Sequence, residues 1–399
     1  MQIEKGKING ARFMFTIAFF LQSSSLLTSF ISSISKQDSW IAVLIGFVSF
    51  IPIIVVYKTI MTDYPDKNLV QVLKLVFGKV LGTIISIFFV YFFLILTALN
   101  LSDLGNFAKL TVMFNTPKTI LTLMCILVSV YAVRNGLSIV TRYSALFTFV
   151  EFLLIGLTLL MVLNLAKPDN FLPILNLEPM KYIQSAHIIT TIPLGEIVVF
   201  LMLTPNVSVD RKKIFKYWFW GVCMGVAVLV LSLIRDVGVL GSSLHLFSLP
   251  GLITIRLVSL GPTFSRLEIL FAIALFIILF FKVTFLLYIT NLALAQTFHL
   301  KSFNHLVLIV GIFVVLYGLT LYPNPAIQAK SAQETAPVIW AVFEFLLPIL
   351  VLVTGRIRGL HYKNKSPVKE NQKQKKNQMG QNAVAIKKEK TKQKSEVKI

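Results

Sequence analysis

Gln22-Ser23-Ser24-Ser25 interrupts one long apolar stretch, Arg12 to Ile34, and Pro193-Leu194-Gly195-Glu196 interrupts another, His187 to Pro205, just after Thr190-Thr191. In lipid an unpaired backbone amide or carbonyl costs several kcal/mol, so such breaks persist only where protein, ligand or water satisfies them. Two broken spans in corresponding places of two halves point to a small-molecule site near the bilayer midplane.

The rest of the chain fits that setting. Of its 399 residues, 56% are apolar and 14% charged, against about half apolar and a quarter charged in a soluble domain. Runs such as Ile84–Leu101 and Ile269–Phe281 approach the roughly 20 apolar residues that cross a bilayer. Ten spans are expected, near 11–34, 39–60, 81–104, 117–133, 138–163, 184–205, 217–235, 267–295, 303–321 and 336–355. The first is too long for a cleavable signal and lacks a small-residue cleavage site.

The net charge of +21 raises nucleic acid as a partner, but its distribution excludes that reading. Sorted by alternate loops, 28 Lys and Arg fall on the side of the N-terminus and 9 on the other, with Lys282 alone inside a span. Even without the tail the balance is 14 to 9, which places both termini in the cytoplasm by the positive-inside rule. Cys125 and Cys223 both sit in apolar spans, which argues against a disulfide framework or a metal site. No phosphate-binding, nucleophile-elbow, zinc-protease or dinucleotide motif stands at a strand–helix junction, so no enzyme or cofactor is expected.

The broken spans are the first and the sixth, which divides the chain into halves of five, about 8–163 and 184–355. An odd number per half reverses the second half's orientation, so the expected fold is all-α and integral to the membrane, a five-plus-five inverted repeat with discontinuous helices one and six. The membrane domain covers 1–358. The segment 359–399, rich in Lys, Gln and Asn, cannot bury enough surface to fold alone. It is expected to be a disordered basic cytoplasmic tail that favours anionic lipid or docks a partner. Leu69–Lys79 reads either as a short interfacial helix or as the wetted start of span three. Arg235–Arg266 reads as an outer loop with small surface helices.

Several local stretches carry a resemblance. They are Asp38-Ser39-Trp40 at the entry to span two, Tyr64-Pro65 with Gly78-Lys79-Val80-Leu81-Gly82, Thr116-Pro117, Gly136 through Arg142, Pro193-Leu194-Gly195-Glu196, and Ser265-Arg266-Leu267-Glu268. In this order, over nearly all of residues 8–358, the chain resembles the membrane-embedded B subunits of nutrient germinant receptors, the spore germination permeases of endospore-forming bacteria. The resemblance implies a place in the amino acid–polyamine–organocation transporter superfamily and in the spore inner membrane. It implies A-type and C-type subunits as partners and a role in nutrient sensing. The chain departs from the family at Ser23–Ser25, where glycines are usual.

A zwitterionic ligand such as an amino acid needs donors for its carboxylate and acceptors for its ammonium. The half-helix from Ser24 offers unpaired amides and a positive dipole end, and freed carbonyls around Thr190–Leu194 offer acceptors. Gln22, Ser23, Ser24, Ser25, Thr191, Leu194 and Gly195 are therefore candidate pocket residues, the alternative being close packing between helices. Glu196 is a candidate for binding the ammonium or exchanging a proton. Glu151 and Glu344 lie farther from any break. Lys282 reads as a cation standing in for a sodium ion, or as half of a structural ion pair with Glu151. Thr284, Tyr288 and Asn291 fall within about 60° on a helical wheel, a stripe that would line the pocket while Lys282 points elsewhere. Under the transporter-like fold, Tyr91 and Ile95 would suit a pocket wall. Arg266 and Glu268 read as an interfacial anchor.

The leading function is a receptor subunit in which a small nutrient shifts a conformational equilibrium by binding one state more tightly. The rivals are a proton-coupled amino-acid transporter and an ion- or water-conducting path.

Overall fold

The computed structural model describes residues 6–24, 28–258 and 267–360. Ser25, Arg266 and the basic tail from His361 onward lie outside the described residues. The first half contains α1 (Gly10–Gln22), α2 (Thr28–Ser35), α3 (Ser39–Asp63), α4 (Leu69–Phe77), α5 (Lys79–Thr111), α6 (Lys118–Arg134), α7 (Leu137–Val140) and α8 (Ser144–Met161). The second opens with α9 (Pro179–Ile189), a π turn at Thr190–Leu194 and a 3-10 stretch at Gly195–Asn206. It continues with α10 (Ile214–Leu240), α11 (Pro250–Arg256), α12 (Leu267–Thr297), α13 (Leu306–Thr320) and α14 (Pro325–Glu334). It ends with α15 (Ala336–Ala341), a second π turn at Val342–Leu346 and α16 (Leu347–Ile357).

Among the described residues each apolar span read from the sequence is mainly helical, and each half opens on its broken rod. Among the described residues, seven helices are long and apolar enough to cross a membrane, or eight if α13 and α14 form one span across their 93° bend. The fold is therefore all-α and multi-pass, with the two halves repeating one pattern: α1 with α2 answers α9 with the 3-10 stretch, α3 answers α10, and α5 answers α12. The apolar outward faces of α5, α6 and α8 are exposed, as lipid contact requires, whereas Ile192 and Leu194–Leu203 are almost wholly buried.

Local chemistry sets the boundaries. Asn9 caps α1 by accepting from the Arg12 amide at 2.8 Å, and Asn68 and Gln71 cap α4 reciprocally. Gly78 then turns the chain at φ +88°, a conformation open to glycine, so that α4 folds back against α5. The wetted-start reading of this segment is thus corrected: α4 is a separate helix, and its Val70, Leu73 and Val76 are fully buried. Lys74 does not simply face water. Its ammonium donates to the Gln296 and Thr297 carbonyls at 3.2 and 2.8 Å, satisfying the end of α12. Burial and the neighbouring Lys79 pull that ammonium below its usual pKa.

The two broken rods are tied together at both ends. On the face carrying Gly6 and Leu360, the terminal face, β1 (Ile8–Asn9) pairs in parallel with β2 (Val207–Ser208), and Asn206 donates to the Gly6 carbonyl at 2.7 Å. On the opposite, distal face Asp38 follows α2 and accepts from Tyr182 of α9 at 2.5 Å and from the Leu175 amide at 3.0 Å. Of the Arg235–Arg266 stretch, Arg235–Leu240 continue α10 rather than forming a loop, and the described residues beyond them carry a 3-10 turn at Gly241–Leu246 and α11.

Candidate functional site

Each break is a place where backbone geometry changes rather than a gap. In the first rod α1 ends at Gln22, and Ser23 closes it, its hydroxyl donating to the Phe20 carbonyl at 2.5 Å. In the sixth, Pro193 supplies no amide and the helix widens into a π turn before tightening at Gly195. Thr190 and Thr191 repair part of this, each donating to the His187 carbonyl at 2.9 Å. Thr191 also reaches the Ile188 carbonyl at 3.1 Å, so its hydroxyl serves the backbone. Leu194 is fully buried beside it.

A single side chain from α12 joins the breaks. The Lys282 ammonium lies 2.6 Å from Glu196 Oε2, donates to Ser24 Oγ at 2.9 Å and sits 4.8 Å over the Phe20 ring. Both ion-pair partners are buried, with side-chain exposures of 0% and 2%. Two expectations are thereby corrected. Lys282 does not point away from the site, and its partner is not Glu151. Glu151 instead lines a separate small cavity with Ser232, Arg235 and Asp236, where Arg235 and Asp236 form their own 2.8 Å pair.

A second carboxylate enters from span ten. Glu344 stands in the π turn Val342–Leu346 against Gly195, so close that a Cβ built on Gly195 would overlap its carboxylate. Both Glu344 carboxylate oxygens and both amide atoms of Gln22 are buried without a hydrogen-bond partner. Such orphaned atoms are expensive and call for a ligand group, a water or a proton. The region therefore holds two carboxyl groups, Glu196 and Glu344, against one ammonium. Sequence reading left Glu344 outside the site, although Pro348 was a usable signal. A proline ring displaces the carbonyl four residues before it, and the freed Glu344 carbonyl accepts instead from the Tyr57 hydroxyl at 2.6 Å.

The remaining candidates fall elsewhere. Thr284 faces α6, 2.9 Å from Ser129 Oγ, and Tyr288 packs edge-on against Phe303. The Asn291 amide donates to the Leu287 carbonyl. Tyr91 does not wall the site, and Ile95 is partly buried against the core. Tyr91 is 51% exposed on the stripe of α5 that also presents Ile84 and Phe88, and its hydroxyl meets that of Tyr317 at 2.9 Å. Tyr91→Leu is accordingly expected to cost about 0.5–1.5 kcal/mol, the net worth of the one hydrogen bond to Tyr317. It should also leave the half-maximal nutrient concentration unchanged, measured in a germination titration.

Three cavities frame the joint. One of about 10 Å³ touches Ser24, Ile192 and Pro193, and one of about 30 Å³ runs from Glu196 past Trp340 and Asn100 to Asp103. A third, of about 330 Å³, opens on the distal face between α2, the end of α5, the 245–249 segment and α14. Phe30, Asp103 and Gln328 line both the second and the third, so they form the partition between them. None of these three belonged to the sequence-derived site.

Comparison with known proteins shows the family and the fold. The sequence profile of the family described as spore germination protein matches residues 7–325. Spore germination protein KB of Bacillus subtilis (strain 168) is 29% identical over 359 residues, covering 88% of this chain and 95% of its own length. The putative spore germination protein YfkT of the same organism is 24% identical, covering 87% and 94%. Among solved structures, MhsT in complex with L-phenylalanine superposes with a TM-score of 0.60 at 15% identity, covering 87% of this chain and 98% of its own. Mhp1, a nucleobase-cation-symport-1 family transporter with bromovinylhydantoin bound, gives 0.60 at 14% identity, covering 86% and 79%. Those two structures share the fold with this chain, a transporter architecture of two inverted repeats, while the sequence match extends across most of its length: the chain belongs to the spore germination protein family.

Proposed function

We propose that this chain is the membrane subunit of a nutrient germinant receptor, and that a small nutrient carrying an ammonium group, an amino acid, binds at the paired breaks. Gln22, Ser24, Gly195, Glu196 and Glu344 line its site, with Lys282 fixing the breaks relative to each other. The chain crosses the spore inner membrane ten times with both termini cytoplasmic, and it works with A-type and C-type subunits. Family, charge sorting and the amino acid held by one structural neighbour support this reading. The observation that carries it is the pair of orphaned groups, Gln22 and Glu344, beside the Lys282–Glu196–Ser24 joint.

Gln22→Leu tests it. Removing a buried amide that has no partner costs the fold little or stabilises it, whereas losing its hydrogen bonds to a ligand costs about 1–3 kcal/mol. Full-length protein in lipid nanodiscs, offered a panel of labelled amino acids, should bind at least one saturably. The variant should unfold at an equal or higher temperature yet bind about tenfold more weakly. Equal affinity in the variant would overturn the site.

The second reading, a proton-coupled amino-acid transporter, draws on the orphaned Glu344 carboxyl, a group able to carry a proton into the site. Uptake of the bound compound into proteoliposomes by this chain alone would favour transport. Saturable binding without uptake would favour sensing.

A further inference from the structure

The geometry points to a second ligand site, an entry vestibule on the distal face that captures the ammonium group of a small molecule at Asp103 before it reaches the breaks. The inference rests on the proposed function only for where the captured molecule goes next. The cavities beside the joint, about 10 and 30 Å³, have room for water and nothing larger. The vestibule, at about 330 Å³, is within the range of small-ligand pockets. In this conformation a nutrient therefore fits in the vestibule and not at the breaks.

The lining sets the class of ligand. Asp103 is the one carboxylate among the described residues that line the vestibule; no Lys or Arg is among them, and the imidazole of His245 is engaged at Nδ1 by the Ser242 carbonyl at 2.6 Å. Lys118, the nearby cation, is turned to Ser102 Oγ at 2.8 Å. The rings of Phe30, Phe107 and Phe247 line the same cavity, and aromatic rings attract cations at their faces. A single carboxylate in a concave, aromatic-walled cleft concentrates positive charge and repels anions.

Asp103 also lines the inner cavity that ends at Glu196. It accepts from Gln328 Nε2 of α14 at 2.7 Å. An arriving ammonium competes for that carboxylate, and releasing Gln328 loosens the partition of Phe30, Asp103 and Gln328. The ligand's charge thus opens its own way inward.

The test compares two thiol reagents of similar size, trimethylammonioethyl and sulfonatoethyl methanethiosulfonate. The target is Ala326→Cys on the exposed vestibule wall, in full-length protein bearing Cys125→Ser and Cys223→Ser. The cationic reagent should react at least about tenfold faster than the anionic one, as expected of a focused field. Asp103→Asn, which keeps the shape and the bond to Gln328, should bring the ratio close to unity, and Asp103→Glu should preserve it. A ratio near unity in the parent, a ratio unchanged by Asp103→Asn, or no reaction with either reagent overturns the vestibule. The midplane site is judged separately, by the Gln22→Leu binding experiment.

Discussion

Lys282→Met is expected to cost the protein about 3–5 kcal/mol, the usual penalty for leaving one member of a buried ion pair without its partner. Glu196 would then sit with no cation beside it, and Ser24 would lose the donor that holds it. Glu196→Gln should be costly for the converse reason, since the Lys282 ammonium would keep only neutral partners, Ser24 Oγ, the Phe20 ring and the new amide oxygen, with no anion beside it. The double variant Lys282→Met/Glu196→Gln buries no unpaired charge and should recover most of the lost stability. The measurement is the thermal midpoint of detergent-solubilised protein, with the amount in membranes as a second readout. Losses that simply add would show that the two residues do not act as a pair. The recovered double variant should still fail to respond to nutrient, because nothing then couples α1 and the 3-10 stretch through α12.

The positions of the breaks were legible because proline, glycine and serine at mid-span are costly in lipid and stand out against leucine and phenylalanine. The faces of the helices were much less legible. In a membrane the outside of a helix is as apolar as its inside, so α5 gives little sign of which stripe meets lipid. The inward reading of Tyr91 and Ile95 therefore rests on the transporter-like fold alone, and Tyr91 lies on the exposed side. The wheel of α12 correctly set Lys282 apart from Thr284 and Tyr288. It did not say which side meets the breaks, since that depends on where α6 and α1 pack. Depth alone paired Lys282 with Glu151, whereas Glu196 reaches it across the break. Glu344 reads as far from any break because its π turn, Val342-Phe343-Glu344-Phe345-Leu346, has no breaking residue of its own. The cause lies one turn later, at Pro348. Asp103 was invisible for a different reason: its role comes from a cavity formed by α2, α5 and α14, three elements far apart in sequence.

Gly195→Val should abolish the response to nutrient while the protein still accumulates. The site of conflict is known. A first carbon on residue 195 overlaps the Glu344 carboxylate and meets the Thr190 carbonyl, so the carboxylate has to leave its place between the two π turns. Gly195→Ala, the smaller step, should raise the half-maximal nutrient concentration about tenfold, equivalent to roughly 1.4 kcal/mol of lost binding. Because the obstacle is the far end of a flexible side chain, the defect should be partly repaired from the other side. Glu344→Asp withdraws the carboxylate by one methylene, and Gly195→Ala/Glu344→Asp should respond at lower nutrient than Gly195→Ala alone. Germination titrations of spores carrying each variant, normalised to receptor abundance, provide the comparison. A normal titration with Gly195→Val would remove the paired breaks as the ligand site. A double variant no better than Gly195→Ala would keep the site but take Glu344 out of it, leaving Glu196 as its only carboxylate.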